Sequence, residues 1–192
     1  MIRMLSATLV CLVLVGQANA QTYFSEGGGW KDPSTGIVWG EGLKSQTGSW
    51  WYWSSAFNVI ADLSLTDANG QTYDDWRMAS LSEMQNLIAN NKPLVEEILM
   101  GDEVPLDTTP TGEVQYWTGD IGVWSGTTKG DSAYIVIIEN VTIYDENGRF
   151  VDFLVTGGGQ SLLVKKNSWA TDAFPVRGMT GSGGSGGKGK NN

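Results

Sequence analysis

One stretch constrains the fold more than any other: Asp74-Asp75-Trp76-Arg77-Met78-Ala79-Ser80-Leu81-Ser82-Glu83-Met84-Gln85-Asn86-Leu87-Ile88. Ser80 followed by Glu83 forms an S-x-x-E capping box, in which each side chain satisfies an orphan backbone N–H at a helix start. Leu81, Met84, Leu87 and Ile88 recur at spacings of three and four, so they share one helix face. Asn90, Asn91 and Pro93 then stop the helix. A helix with one apolar stripe must dock on something, and the second half of the chain offers strands.

From Glu113 onward the pattern is that of strands. Gln115-Tyr116-Trp117-Thr118 is one, followed by a glycine-punctuated segment from Gly119 to Gly130 that reads as loop. Ala133 to Ile138 is apolar almost throughout, which suits a central strand buried on both faces, here antiparallel. Val141 to Tyr144 continues it or pairs beside it. Asp145-Glu146-Asn147-Gly148 predicts a hairpin turn, with Asn-Gly its strongest signal. Arg149 to Val155 is the returning strand, Gly157-Gly158-Gly159 a second reversal, and Ser161 to Lys165 a further strand. Phe174 to Met179 closes the domain.

The first half is more irregular. Residues 21–29 are polar and glycine-rich. Asp32-Pro33-Ser34-Thr35-Gly36 is turn chemistry, and Ile37-Val38-Trp39 is a short strand after it. Ser49 can cap a helix from Trp50 to Leu63, with Trp53 in the core and Trp50 or Trp51 partly exposed. The aromatic density at Trp50, Trp51, Tyr52 and Trp53 also suits stacking on sugars. Asp67 and Asn69 are spaced like the start of a calcium loop, but Met78 stands where its last acidic ligand belongs, so a polar turn is expected. Leu94 to Met100 suggests a short helical turn, and Gly101 to Gly112 a long surface loop.

Residues 1–20 have the form of a signal peptide: Arg3, an apolar run from Leu5 to Val15, and Ala18-Asn19-Ala20 as a cleavage site. The run is short for a bilayer span, so an exported chain is expected, periplasmic, cell-surface or secreted, with no transmembrane segment after cleavage. Residues 21–180 suit one domain, and 181–192 read as a disordered Gly/Ser/Lys tail. The lone cysteine, Cys11, lies in the signal segment, and the chain has no histidine. After cleavage, disulfides, thiolate catalysis, histidine acid–base chemistry and Cys/His zinc sites are excluded. The formal net charge of −9 becomes one unit more negative without Arg3. That disfavours nucleic acid as a partner.

Four pieces in this order carry a resemblance: Asp32-Pro33-Ser34-Thr35-Gly36-Ile37-Val38-Trp39, Asp75-Trp76-Arg77-Met78-Ala79-Ser80-Leu81-Ser82-Glu83-Met84, Tyr116-Trp117-Thr118-Gly119, and Val176-Arg177. The pattern resembles the C-terminal domain of the Legionella collagen-like adhesin, a bacterial family similar in fold to C-type lectins. The resemblance implies an α+β, C-type-lectin-like fold, with two helices packed on a twisted antiparallel sheet beside a long loop region. The order of helices first and strands later agrees with an α+β class.

Function follows as an expectation. Export, aromatic richness and the lectin-like resemblance point to a non-catalytic binding module for a glycan or a cell-surface protein. The expected surface is the region from Asp107 to Asp131. There Trp124 offers a stacking face, and Asp120, Thr127 and Asp131 hydrogen-bond hydroxyls. The Glu-Pro-Asn or Gln-Pro-Asp run of a lectin calcium site is missing, so neither a metal nor another cofactor is expected. Two alternatives stand beside this reading. One is a structural or assembly component of a surface matrix or filament. The other is a carbohydrate-active enzyme built from distant carboxylates. Arg77 needs a carboxylate partner near the helix start, such as Asp75 or Asp152.

Overall fold

The computed structural model describes residues 24–25, 29–43, 51–67, 69–100, 115–170 and 172–178. The expected signal segment with Cys11, the expected cap Ser49, and the stretches 101–112 and 181–192, expected as loop and tail, lie outside the described residues.

The described residues are mostly β, with 50% strand against 23% helix, and this overturns the α+β, C-type-lectin-like expectation. The strands fall into several sheets. One has five short strands in the order β1 (Phe24–Ser25), β2 (Gly29–Lys31), β3 (Val38–Trp39), β13 (Pro175–Arg177) and β7 (Arg77–Met78). The other main sheet has the order β10 (Phe150–Lys165), β9 (Ser132–Tyr144), β8 (Gln115–Lys129) and β12 (Asp172–Ala173). Two small pairs complete the set: β4 (Trp51–Tyr52) with β11 (Trp169–Ala170), and β5 (Leu65–Thr66) with β6 (Thr72–Tyr73). Three helices are described: α1 (Trp53–Ala61), α2 (Leu81–Asn90) and α3 (Lys92–Met100).

The departure has a physical cause in the glycines. Gly119 to Lys129 is strand, and Gly157-Gly158-Gly159 lies inside β10 and reverses nothing. Register shifts between Val155 and Gly157 and between Gly158 and Ser161 mark bulges there. Gly158 and Gly159 take φ of 122° and 92°, a region open to glycine because it lacks a Cβ. A Cβ on Gly158 would collide with the Ile137 carbonyl. The triplet thus bends a strand without ending it.

β9 is central, with antiparallel partners on both sides, as its apolar run predicts. Its two faces feed two cores. Val123 opposite Val136, Ile121 opposite Ile138 and Phe153 opposite Thr142 share one face. They join Met84, Leu87 and Ile88 of α2 and Leu94, Val95 and Ile98 of α3. Trp124 opposite Ile135 and Val164 opposite Ala133 share the other. They join Ala56 and Ile60 of α1. Each fully buried aliphatic side chain contributes roughly 1.5–3 kcal/mol, so both layers are needed.

The other local expectations divide. The Asn147-Gly148 hairpin joins β9 to β10, with the Asp145 carboxylate accepting from the Asn147 and Arg149 N–H groups at 2.8 Å each. Asp67 likewise accepts from the Asn69 and Gln71 N–H groups, which makes a polar turn. The first helix starts at Trp53 and ends at Ala61, because Trp51 and Tyr52 form β4. Leu94 to Met100 belongs to a full helix, α3.

The capping box forms as read. Glu83 N–H donates to Ser80 Oγ, and Ser80 N–H donates to Glu83 Oε2 at 2.8 Å. The partner of Arg77 is Glu83, not Asp75 or Asp152: Arg77 Nη1 and Nη2 reach the two Glu83 oxygens at 2.8 and 2.6 Å. Asp75 instead pairs with Arg177 at 2.8 Å. Burial raises the Glu83 carboxyl pKa. The bonds from Arg77, from the Ser80 N–H and from the Ser80 hydroxyl outweigh that, and hold it below its ordinary 4.5.

A carboxyl depressed in the folded state stabilises it above the unfolded pKa, and that share is lost as pH falls through the folded value. Because the Arg77 side chain is 31% exposed, the effect is smaller than for a sealed pair. Glu83→Ala should cost roughly 1.5–3 kcal/mol at pH 7, and Ser80→Ala about 1 kcal/mol. Urea unfolding at pH 7 and pH 3 checks this: the gap between wild type and Glu83→Ala should narrow at the lower pH.

Candidate functional site

Two aromatic pairs meet at one corner of the molecule. Tyr52 on β4 lies directly opposite Trp169 on β11, and opposed residues on paired strands project from the same face. Their ring centroids are 4.0 Å apart and tilted by 39°. Both are exposed, 37% and 55%. The next residue, Trp53, opens α1, and four positions on is Phe57, one turn along the same helix face. These rings stack at 5.0 Å and 20°, and Phe57 is 43% exposed. The Lys166 ammonium lies 4.6 Å from the Trp53 ring centroid, a cation–π contact.

β8 holds this corner from beneath. Trp124 Nε1 donates to the Trp51 carbonyl at 2.8 Å, and Trp53 Nε1 donates to the Ser125 carbonyl at 2.8 Å. Lys166 is tied on both sides: its N–H donates to the Asp131 carbonyl at 3.1 Å, and its carbonyl accepts from Trp53 N–H at 3.3 Å. The Tyr52, Phe57 and Trp169 rings are exposed and Trp53 is half-buried against the second core, while the backbone that carries them is pinned.

The four residues expected to bind ligand do not form one site. Trp124 is fully buried, so its ring presents no face to solvent; it anchors β4 instead. Thr127 serves the start of α2, where its hydroxyl accepts from Leu81 N–H at 3.0 Å. Asp120 is exposed opposite Glu139. Asp131 is exposed at the β8–β9 turn, on the corner where its carbonyl meets Lys166. The strand between Asp120 and that turn spans about 30 Å at ~3.3 Å per residue. The expected loop from Asp107 to Asp131 is strand from Gln115 to Lys129, and residues 107–114 lie outside the described residues.

The cluster of aromatics Trp50, Trp51, Tyr52 and Trp53 pointed to this corner, but Trp169 and Lys166 did not stand out in the sequence. Their signal is the polar turn Lys166-Asn167-Ser168 between Lys165 and Trp169, where a large aromatic has no core to enter.

Carboxylates offer less. Burial raises the Glu96 pKa, the Val155 N–H opposes that, and the charges of Asp152 and Glu97 add to it. Glu96 is nevertheless occupied structurally: it accepts from Val155 N–H at 2.7 Å and ties α3 to β10. Among the described residues no three His, Cys, Asp or Glu side chains are grouped to hold a metal. Among them, too, no helix is long and apolar enough to cross a membrane.

Three of the four pieces behind the adhesin-domain resemblance come together in one sheet. β3, β13 and β7 are neighbours, with Val176 opposite both Trp39 and Arg77. Arg177 lies 3.7 Å over the Tyr73 ring and 6.0 Å from Trp76. Tyr116-Trp117-Thr118-Gly119 lies apart, on β8. Comparison with family models, with curated proteins and with solved structures finds no match for this chain.

The two kinds of tryptophan should separate in experiment. Trp124→Ala empties a core position and should cost roughly 3–5 kcal/mol, seen as a lowered urea midpoint. Trp169→Ala should leave that midpoint nearly unchanged.

Proposed function

We propose that this chain is an exported, non-catalytic binding module that takes a carbohydrate on the corner formed by Tyr52, Trp169, Trp53, Phe57 and Lys166. One observation carries the reading: the tilted, touching pair of Tyr52 and Trp169 is both exposed and fixed by strand pairing. A pyranose ring has one face of C–H bonds and a rim of hydroxyls. An aromatic face covers the first, and Lys166 with the Asp131 carboxylate can hydrogen-bond the second. Side chains already held in place lose little entropy on binding, and contiguous exposed aromatics mark interaction sites more often than scattered ones do.

The signal-like segment of residues 1–20 supports export. The adhesin-domain resemblance supports a surface-binding role.

A glycan array with the chain lacking residues 1–20 tests the proposal. Binding to at least one glycan is expected, weakened about tenfold by Trp169→Ala, or roughly 1.4 kcal/mol, with the urea midpoint retained. Retention of no glycan, or binding by Trp169→Ala and Tyr52→Ala as tight as that of the wild type, would sink it.

A further inference from the structure

Among the described residues the long sheet has two bare edges, and they differ in chemistry. β12 pairs with β8 only at Val123 and Trp124, so among the described residues Gln115 to Gly122 has no strand on its outer side. At the opposite edge, among the described residues, β10 pairs only with β9. The middle of β10 is covered by side chains from the helices: Glu96 takes Val155 N–H, Lys92 takes the Thr156 carbonyl and Gln85 takes the Gly159 carbonyl. That cover ends before Ser161. Folded proteins usually blunt such edges, because unpaired N–H and C=O groups template further pairing.

Both bare segments expose apolar side chains on both faces. On β8, Tyr116 is 65% and Trp117 63% exposed; on β10, Leu162 is 55% and Leu163 44% exposed. β9 serves as a ruler for the faces, since opposed residues share a face and the face alternates along a strand. Tyr116 stands opposite Ile143, and Leu162 opposite Ile135; these odd positions of β9 share one face. Trp117 stands opposite Thr142, and Leu163 opposite Tyr134, on the other face. β8 and β10 both run antiparallel to β9 and therefore run parallel to each other.

We infer that copies of this chain associate head to tail, the β8 edge of one adding in parallel to the β10 edge of the next. A copy moved by translation keeps its strand direction and its faces. Tyr116 then meets Leu162 on one face, and Trp117 meets Leu163 on the other. The same register sets Gly119 opposite Lys165, so Asp120 falls at the basic end of β10, an acid beside a base. The two bare segments lie at opposite ends of β9, so successive copies are stepped along the strand direction. A contact between two different surfaces does not close on itself unless the rotation happens to make a ring, so the product is an open chain of copies.

Light scattering after size exclusion, over a range of concentrations, tests it with two blocked variants. Tyr116→Lys/Trp117→Lys blocks one edge and Leu162→Lys/Leu163→Lys the other. Wild type should form species at successive multiples of the monomer mass. Each variant alone should be monomeric, and their mixture should form a dimer and nothing larger. A monomeric wild type at every concentration overturns the inference. So does self-association by either variant alone, which would mean a two-fold contact, or a mixture that stays monomeric. Circular dichroism confirms folding; should a double variant unfold, Trp117→Lys and Leu163→Lys give the same test singly.

Discussion

The structure depends on a strand that cannot face water on either side. Ala133 and Ile135 on one face of β9, with Val136 and Ile138 on the other, are all buried. A strand of that kind needs neighbours at both edges and cover on both faces. The neighbours are β8 and β10. The cover is α2 and α3 on one side and α1 on the other. The short strands of the N-terminal region and β13 then seal the remaining gaps, with Trp39 and Phe174 edge-to-face at 6.4 Å in the first core.

The same arrangement positions the aromatic corner. Trp124 projects from β8 into the second core, and its indole N–H reaches out to the backbone beside Tyr52. Rigidity therefore passes from the buried sheet to an exposed pair of rings through one hydrogen bond and the β4–β11 pairing. Recognition surfaces commonly rest on a rigid scaffold in this way. The residue that looked like a ligand contact in the sequence is the strut beneath the contact.

What was legible in the sequence is what local physics decides. The Ser80–Glu83 cap, the stripe of Met84, Leu87 and Ile88 and the Asn147-Gly148 turn need only near neighbours, and each forms; the unbroken apolar run of β9 declares two covered faces without saying what covers them. The glycines misled. Gly119, Gly122 and Gly126 read as punctuation, yet they are strand residues. At Gly122 an added Cβ would approach Ile135, and at Gly126 the Met78 carbonyl, at 3.0 Å each. Such close approach is a tertiary fact with no local signature. The union of Tyr52 with Trp169 is likewise long-range, as is the choice of Glu83 over Asp75 for Arg77. The fold class failed for the same reason, since three of the four pieces that suggested the resemblance build one small sheet and leave the rest of the chain undetermined.

Hydrogen exchange of the backbone amides reaches the central claim most directly. Amides that open only by global unfolding exchange last. If β9 is the doubly covered centre, Ile135, Val136, Ile137 and Ile138 should be the slowest in the chain. They should also share one opening free energy, equal to that of urea unfolding. Exchange there as fast as at Glu146 and Asn147 of the exposed hairpin turn would contradict the account.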